Sequence, residues 1–351
     1  MSIYWSNKLN LRILVTGGAG FIGGALIRRL LSKTSATIFN VDKIGYASDL
    51  TSIDRYLKNN NIVNRYHLIR EDLCNRNKLD ELISIIDPDL VFHLAAESHV
   101  DKSIDGPEIF LKSNVLGTFY LLEALLNHWN NLSKKRKENF KFLHVSTDEV
   151  YGSLDSKSQF NENSKYDPRS PYSASKASSD HLVMAWFHTY GFPGLITNCS
   201  NNFGPWQFPE KLIPLAISRA IEDKPIPMYG DGQQIRDWLY VENHIDALLL
   251  VLSKGLIGES YCIGGFGEIT NEDILCKICT ILDELRPKKE PYFNLITSVK
   301  DRLGHDRRYS INSSKIQNIL GWKPSIEFDY GLKMTVEWYL KNSTWLLKKT
   351  Y

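Results

Sequence analysis

Over its first two hundred residues the chain alternates short runs of β-branched and apolar residues with stretches of helical periodicity. The runs Arg12–Thr16, Thr37–Val41, Tyr66–Arg70, Leu90–Leu94 and Phe140–Ser146 have the length and residue types of buried strands. Between them, Phe21–Ser32 sets Ile22, Leu26 and Leu30 on one helical face, and Pro107–Trp129 reads as a long helix. Such alternation predicts an α/β fold, with a parallel sheet covered by helices on both faces.

After about Ser200 the elements shorten, broken by prolines 205, 209, 214, 225 and 227. This half is expected to form a second lobe over the carboxyl ends of the strands, where open α/β sheets take their ligands. With 351 residues, 43% of them hydrophobic, the chain can bury a sizeable core. A formal net charge of +2 points to neither nucleic acid nor an anionic membrane surface. No uninterrupted apolar run approaches the ~18 residues of a membrane span, and polar residues interrupt the first ten residues where a signal peptide needs an apolar stretch. A cytoplasmic protein is expected.

Three features invite sharper readings than they support. The pair Cys276 and Cys279 lies in a helix-like stretch with no second ligand pair, so two thiols on a half-buried helix are expected, and no metal. The basic run Lys134–Lys137 falls between a helix and a strand and reads as a solvated loop. Ser153–Ser170 is polar and charged, with little apolar surface to offset the entropy of ordering it. It is expected to be mobile until a ligand closes the cleft; the alternative is a loop pinned against the second lobe by Tyr166, Pro168 and Pro171.

The first strand runs into Gly17-Gly18-Ala19-Gly20-Phe21-Ile22-Gly23, which opens a helix. Glycines there allow a tight turn and close approach of a pyrophosphate, and the helix N-terminus supplies N–H donors. The glycines satisfy both G-x-G-x-x-G and G-x-x-G-x-x-G, so spacing does not choose a subfamily. Asp42 ends the second strand about 20 residues later, where an acid meets the adenosine ribose hydroxyls and repels a 2′-phosphate. NAD is therefore favoured over NADP.

Further on, Tyr172 and Lys176 stand four apart and share one helical face. An ammonium nearby stabilises a tyrosinate, which makes Tyr172 a candidate base toward a substrate hydroxyl. Asp148-Glu149, directly after Thr147 at the end of a strand, adds two carboxylates that simple hydride transfer does not use. Elimination of water, which needs an acid and a base together, does use them.

These motifs, with His93–Asp101, Ser146–Gly152, Tyr172–Asp180, Cys199–Pro205, Phe208–Pro214, Gln234–Val241 and Asp301–Tyr309, resemble those of the nucleoside-diphosphate-glucose 4,6-dehydratases of the extended short-chain dehydrogenase/reductase superfamily. The resemblance runs from about Leu11 to about Pro324. It implies a Rossmann-type doubly wound sheet with a smaller mixed α/β substrate-binding lobe. The NAD domain would take residues 1–200 and about 237–263, the nucleotide-sugar lobe about 201–236 and 264–351.

The implied chemistry is oxidation at C4, loss of water across C5–C6, and return of the hydride to C6 to give a 4-keto-6-deoxy sugar. Tyr172 would take the C4 hydroxyl proton, with Lys176 tuning it and Thr147 hydrogen-bonded to O4. Glu149 would remove the C5 proton and Asp148 protonate the departing C6 hydroxyl. The implied cofactor contacts are Gly17, Gly20, Phe21, Ile22, Gly23, Asp42, Lys43, Asp72, Leu73, Leu94, Ala95, Ala96, Ser113, Tyr172, Lys176 and Asn202. On the substrate side it implies Ser98, Thr147, Asn201, Lys211, Leu212, Pro227, Tyr229, Arg236, Asn271, Arg302 and His305. The two arginines suit a diphosphate because guanidinium forks match phosphate oxygens.

Asn75 and Leu303 depart from the usual pattern, where Asp and Pro are expected. Both dTDP-glucose and UDP-glucose stay open as substrates. A homodimer pairing through Pro107–Trp129 and Tyr172–Tyr190 is implied. The alternatives are a 4-epimerase or decarboxylase of the same superfamily, which has no chemical use for Asp148-Glu149, and a silent NAD-binding scaffold, which would have lost catalytic residues.

Overall fold

The described residues of the computed structural model are 10–350 apart from 155–157 and 302. They contain strands β1 (Arg12–Thr16), β2 (Thr37–Asp42), β3 (Tyr66–Arg70), β4 (Leu90–His93), β5 (Lys141–Thr147), β6 (Gly194–Cys199), β7 (Asn201–Phe203), β8 (Ile226–Tyr229), β9 (Ile235–Tyr240), β10 (Ser260–Ile263), β11 (Glu268–Thr270) and β12 (Ile296–Val299). The first five lie within one residue of their expected bounds. Seven strands form one sheet in the order β10-β6-β5-β4-β1-β2-β3, every pairing parallel. This is a Rossmann-type sheet. Its order reverses at β1, where Val15 faces Asn40 on one side and Phe92 on the other, and a ligand crevice opens at such a switch point.

Apolar layers cover both faces. On one side Leu26 and Leu30 of helix Phe21–Lys33 pack with Leu248 and Val251 of helix Val241–Lys254. On the other, Ile83 of helix Arg76–Ile86, Leu121 and Leu125 of Gly117–Asn131, and Val183 of Pro171–Tyr190 close the core. Each fully buried Leu or Ile contributes roughly 1.5–3 kcal/mol, so these stripes fix where the strand ends point.

The long run Pro107–Asn131 is apolar and long enough, by length and composition alone, to cross a membrane, yet it packs its buried face into this core. It is not one continuous α-helix. Residues Leu111–Leu116 form a π turn, a feature often found at functional positions. The turn aims Asn114 inward, where its Nδ2 donates to Ser175 Oγ at 2.8 Å and to the Glu97 carbonyl at 3.0 Å.

The second lobe has its own core of Phe203, Ile213, Trp238, Ile274 and Tyr339. The sheets β11-β9-β7 and β12-β8 frame it. β9 lies between the lobes, with Trp238 and Tyr240 packed into this core and Leu239 into that of the first lobe. Late in the chain, Ile316, Leu320 and Trp322 also rejoin the first lobe's core.

Two local expectations change. Lys134–Asn139 is a short helix, not a loop, because Arg136 ties it down through Asp87 (2.8 Å) and Asp89 (2.9 Å). The segment around Phe160 is anchored: the Phe160 N–H donates to the Ser310 carbonyl at 2.9 Å and the Asn312 N–H to the Phe160 carbonyl at 2.8 Å. Phe160 is buried and stacks on Tyr151 at 5.2 Å. The contact with the second lobe is made by Phe160, whereas the Tyr166 hydroxyl donates to Asp180 of the first lobe. Cys276 is half-buried and Cys279 buried on helix Asn271–Leu285, both as free thiols.

Candidate active site

A cavity of about 330 Å³ opens at the carboxyl ends of β1, β2, β4 and β5. The glycine turn forms one wall. Gly17 has φ +72°, and a Cβ on it would meet the Ala95 nitrogen at 2.6 Å, so no other residue fits this approach of β1 to the β4 loop. Gly18 donates its N–H to Asn40 Oδ1 at 3.0 Å and Ala19 to Asp42 Oδ2 at 2.9 Å, which fixes the turn to β2. No side chain caps the helix at Gly20, so its first-turn N–H groups are left for an anion. Asp42 is buried and lines the cavity, its Oδ1 accepting from the Ile44 N–H at 2.8 Å. These residues fit a dinucleotide.

The cavity brings together Gly17, Gly20, Phe21, Ile22, Gly23, Asp42, Lys43, Asp72, Leu73, Leu94, Ala95, Ala96, Ser98, Ser113, Thr147, Glu149, Tyr172, Lys176, Asn201, Asn202 and Lys211. Several lining residues were not foreseen from sequence: Tyr46, Ser48, Glu71, Gln207, Phe208 and Glu210. Some of them bridge the lobes. The Tyr46 hydroxyl donates to Glu210 Oε1 at 3.2 Å, Lys102 Nζ sits 3.0 Å from the Tyr46 ring centre, and Lys211 Nζ donates to the Ser98 carbonyl at 2.9 Å. Lys43 spans to Glu97 (2.6 Å) and Ser113 (2.8 Å).

Leu212, Pro227, Tyr229, Arg236, Asn271 and His305 stand outside that wall, and Arg302 lies outside the described residues. Several of them meet in the second lobe. The Asn271 N–H donates to the Gln234 carbonyl at 3.0 Å, Gln234 Nε2 donates to Asp301 Oδ2 at 3.2 Å, and Asp301 Oδ1 lies 2.6 Å from His305 Nδ1. Arg236 is buried, stacked 4.3 Å over the Tyr309 ring with Nη2 donating to the Asp306 carbonyl at 2.9 Å. Its charge reaches Asp148, so the two clusters adjoin.

β5 delivers Thr147, Asp148 and Glu149, and helix Pro171–Tyr190 delivers Tyr172 and Lys176. That helix starts where it does because Ser170 and Ser173 form a reciprocal capping box, with Pro171 in the first turn. Asp148 is 1% exposed, and its Oδ2 has no hydrogen-bond partner among the described residues. Burial, then the charges of Glu149 and Asp237, push its pKa well above the usual carboxylate range against the pull of Arg236. The protonated form of this acid is thus favoured, beside a second carboxyl group. Environments that separate neighbouring carboxyl groups in this way mark an acid and a base.

Burial also raises Tyr172, helped by Glu149, Cys199 and Asp148, while a hydrogen bond from Thr147 acts the other way. Lys176 is buried, its Nζ donating to the Val145 carbonyl at 3.0 Å and lying 3.3 Å from His144 Nε2. Burial lowers its pKa to about 8, with Asp180 opposing. Beneath it, Asp180 Oδ2 accepts from Ser146 (2.8 Å), Tyr166 (2.9 Å) and Asn198 (3.2 Å).

A helix-covered parallel sheet with a glycine turn, a ribose-side aspartate and a buried Tyr–Lys pair defines a dinucleotide-dependent enzyme of the short-chain dehydrogenase class. Residues 14–335 match the family model described as GDP-mannose 4,6 dehydratase, and the chain belongs to that family. It is 54% identical over 335 residues to a probable dTDP-glucose 4,6-dehydratase of Sinorhizobium fredii, covering 95% of this chain and 94% of that one. It is 50% identical over 345 residues to the dTDP-glucose 4,6-dehydratase of Salmonella typhimurium, covering 96% and 94%. Among solved structures, the dTDP-glucose 4,6-dehydratase of Bacillus anthracis in complex with NAD superposes with a TM-score of 0.82 at 40% identity, covering 95% of this chain and 98% of that one.

Proposed function

We propose that the chain catalyses the NAD-dependent conversion of dTDP-glucose to the 4-keto-6-deoxy sugar. The observation that carries it is Asp148, buried beside Glu149 at the end of β5 with one carboxyl oxygen unpartnered among the described residues. A 4-epimerase would need the Tyr–Lys pair and the glycine turn but has no step for this acid. The relatives' shared name supports the same activity and favours dTDP-glucose over UDP-glucose.

NAD, when bound, supplies a site that takes hydride from C4 and gives it back at C6. The glycine turn and helix Phe21–Lys33 would hold its pyrophosphate, and Asp42 the adenosine ribose. Tyr172 takes the O4 proton, its phenolate favoured by a hydrogen bond from Thr147. Glu149 removes the C5 proton, made acidic by the new ketone, and Asp148 protonates the leaving O6. Arg236 would face the diphosphate.

Incubation with dTDP-glucose and UDP-glucose tests the proposal. Formation of the 4-keto-6-deoxy product with higher kcat/KM on dTDP-glucose is expected, and an epimerised hexose as product would refute it.

A homodimer is part of the same proposal. Ile109, Leu111 and Leu116 on the long helical run and Tyr190 at the end of the Tyr–Lys helix stand exposed. Burying them between two copies would remove an apolar stripe from water. A cytoplasmic location accords with this chemistry.

A further inference from the structure

Beside Asp42 the rim of the cavity is one short segment. Lys43, Gly45, Tyr46, Ala47 and Ser48 line it, and Asp49 follows just before helix Thr51–Asn60. The Asp49 N–H donates to the Ala19 carbonyl at 2.8 Å, while the Ala19 N–H donates to Asp42 Oδ2 at 2.9 Å. Ala19, in the middle of the glycine turn, is therefore held from both ends of that rim.

Asp49 is held in its turn from the second lobe. Its Oδ2 accepts from Trp345 Nε1 at 2.9 Å and pairs with Lys349 Nζ at 2.8 Å, two residues one turn apart on helix Ser343–Thr350. Its Oδ1 accepts from the Thr51 N–H at 2.6 Å. Burial pushes the pKa of Asp49 up, but Lys349, Thr51 and Trp345 together bring it below the ordinary carboxylate value, so it keeps its charge. Trp345 is buried in the second lobe's core, edge-on to Trp206 at 5.2 Å. Thr350 Oγ1 lies 2.8 Å from Ser218 Oγ on helix Leu212–Ile221. The helix thus belongs to one lobe and grips the turn of the other.

Resting on the NAD-dependent reading above, we propose that helix Ser343–Thr350 is a latch on the bound dinucleotide, with Trp345 and Lys349 fixing Asp49 and, through it, the rim and the glycine turn. With pyrophosphate on the turn and ribose at Asp42, departure of NAD requires this rim to move, and the two bonds to Asp49 oppose that movement. Neither Trp345 nor Lys349 lines the cavity, so both are positioning residues.

Exchange of bound NAD for isotopically labelled NAD, followed on the full chain, tests the latch. Trp345→Phe combined with Lys349→Met keeps the ring and the stem and removes both donors. NAD should leave this variant roughly tenfold faster than the parent, a factor that the net strength of one ordinary hydrogen bond supplies. At saturating NAD its kcat on dTDP-glucose should stay near the parent value. Lys349→Met alone, at a partly exposed position, should also speed exchange and serves should the double variant not fold. Lys349→Arg keeps a charged donor and should exchange at the parent rate. Exchange at the parent rate in Lys349→Met or in a folded double variant overturns the latch, as does a Lys349→Arg variant as fast as Lys349→Met. A parent that binds no NAD refutes the cofactor assignment and the latch together, whereas one that binds NAD but fails to dehydrate dTDP-glucose refutes only the activity.

Discussion

The Tyr166 hydroxyl donates to Asp180 Oδ2 at 2.9 Å, which ties the polar loop to the helix that presents Tyr172 and Lys176. The same oxygen receives Ser146 at 2.8 Å, one residue before Thr147, so loop, helix and acid–base strand share one buried anchor. Tyr166→Phe should remove one of its donors, cost about 1 kcal/mol of stability and leave a folded, active enzyme. Asp180→Ala should do far more damage, because three donors lose their acceptor at once. Thermal melts of both variants check the order, and equal melting temperatures would contradict it.

Glu149→Gln should still oxidise C4 but stall before elimination. Reduced-cofactor absorbance should accumulate in the variant on mixing with substrate, and little solvent deuterium should enter C5. Dehydration at the parent rate would remove Glu149 from its role.

Asp148 carries a linkage consequence. Its pKa is raised in the folded protein, so above the ordinary carboxylate range, about pH 4, the folded state holds more protons than the unfolded one. This group therefore favours folding at low pH, and its contribution falls as pH rises toward the folded value. Asp148→Asn, which removes the titration, should melt higher than the parent, with a gap that widens with pH even as dehydration is lost. Melting curves across a pH series check the sign.

Purified protein should turn over dTDP-glucose without added NAD, since each cycle restores the cofactor and the cavity is bridged between lobes by Tyr46–Glu210 and Lys211–Ser98. Bound NAD released by acid and assayed gives the occupancy. Stoichiometric NADH formation from substrate would refute the cycle.

Leu111→Arg places a charge on the exposed apolar stripe of the long helical run. Light scattering should show the parent near twice 40.2 kDa and the variant near 40.2 kDa. A parent that scatters as a single chain at micromolar concentration would disprove the dimer.

Much of the site could be read in sequence because its pieces are local. The glycine turn, Thr147-Asp148-Glu149 and the Tyr172–Lys176 pair each lie within a few residues, on elements whose apolar pattern is strong. What stayed hidden depends on distant partners. Phe160 pairs with Ser310 and Asn312 across some 150 residues, so a polar composition concealed an anchored loop. Tyr46 and Glu210 meet across 164 positions, a pairing that no local pattern signals. The isolation of Asp148 Oδ2 is a property of packing alone. The π turn at Leu111–Leu116 leaves no periodicity signal, because a single wide turn shifts the pattern by less than one residue can reveal.

The bridged cavity bears on how such a step would answer to metabolism. A dehydrogenase that exchanges its cofactor with the cell is throttled when the cellular pool becomes reduced. Here Tyr46, Lys102 and Glu210 join opposite rims of the cavity, and the electrons borrowed from a sugar go back to that same sugar. Flux through the enzyme would then follow sugar nucleotide supply and stay indifferent to the redox poise of its surroundings, the dinucleotide serving as a built-in part of the machine.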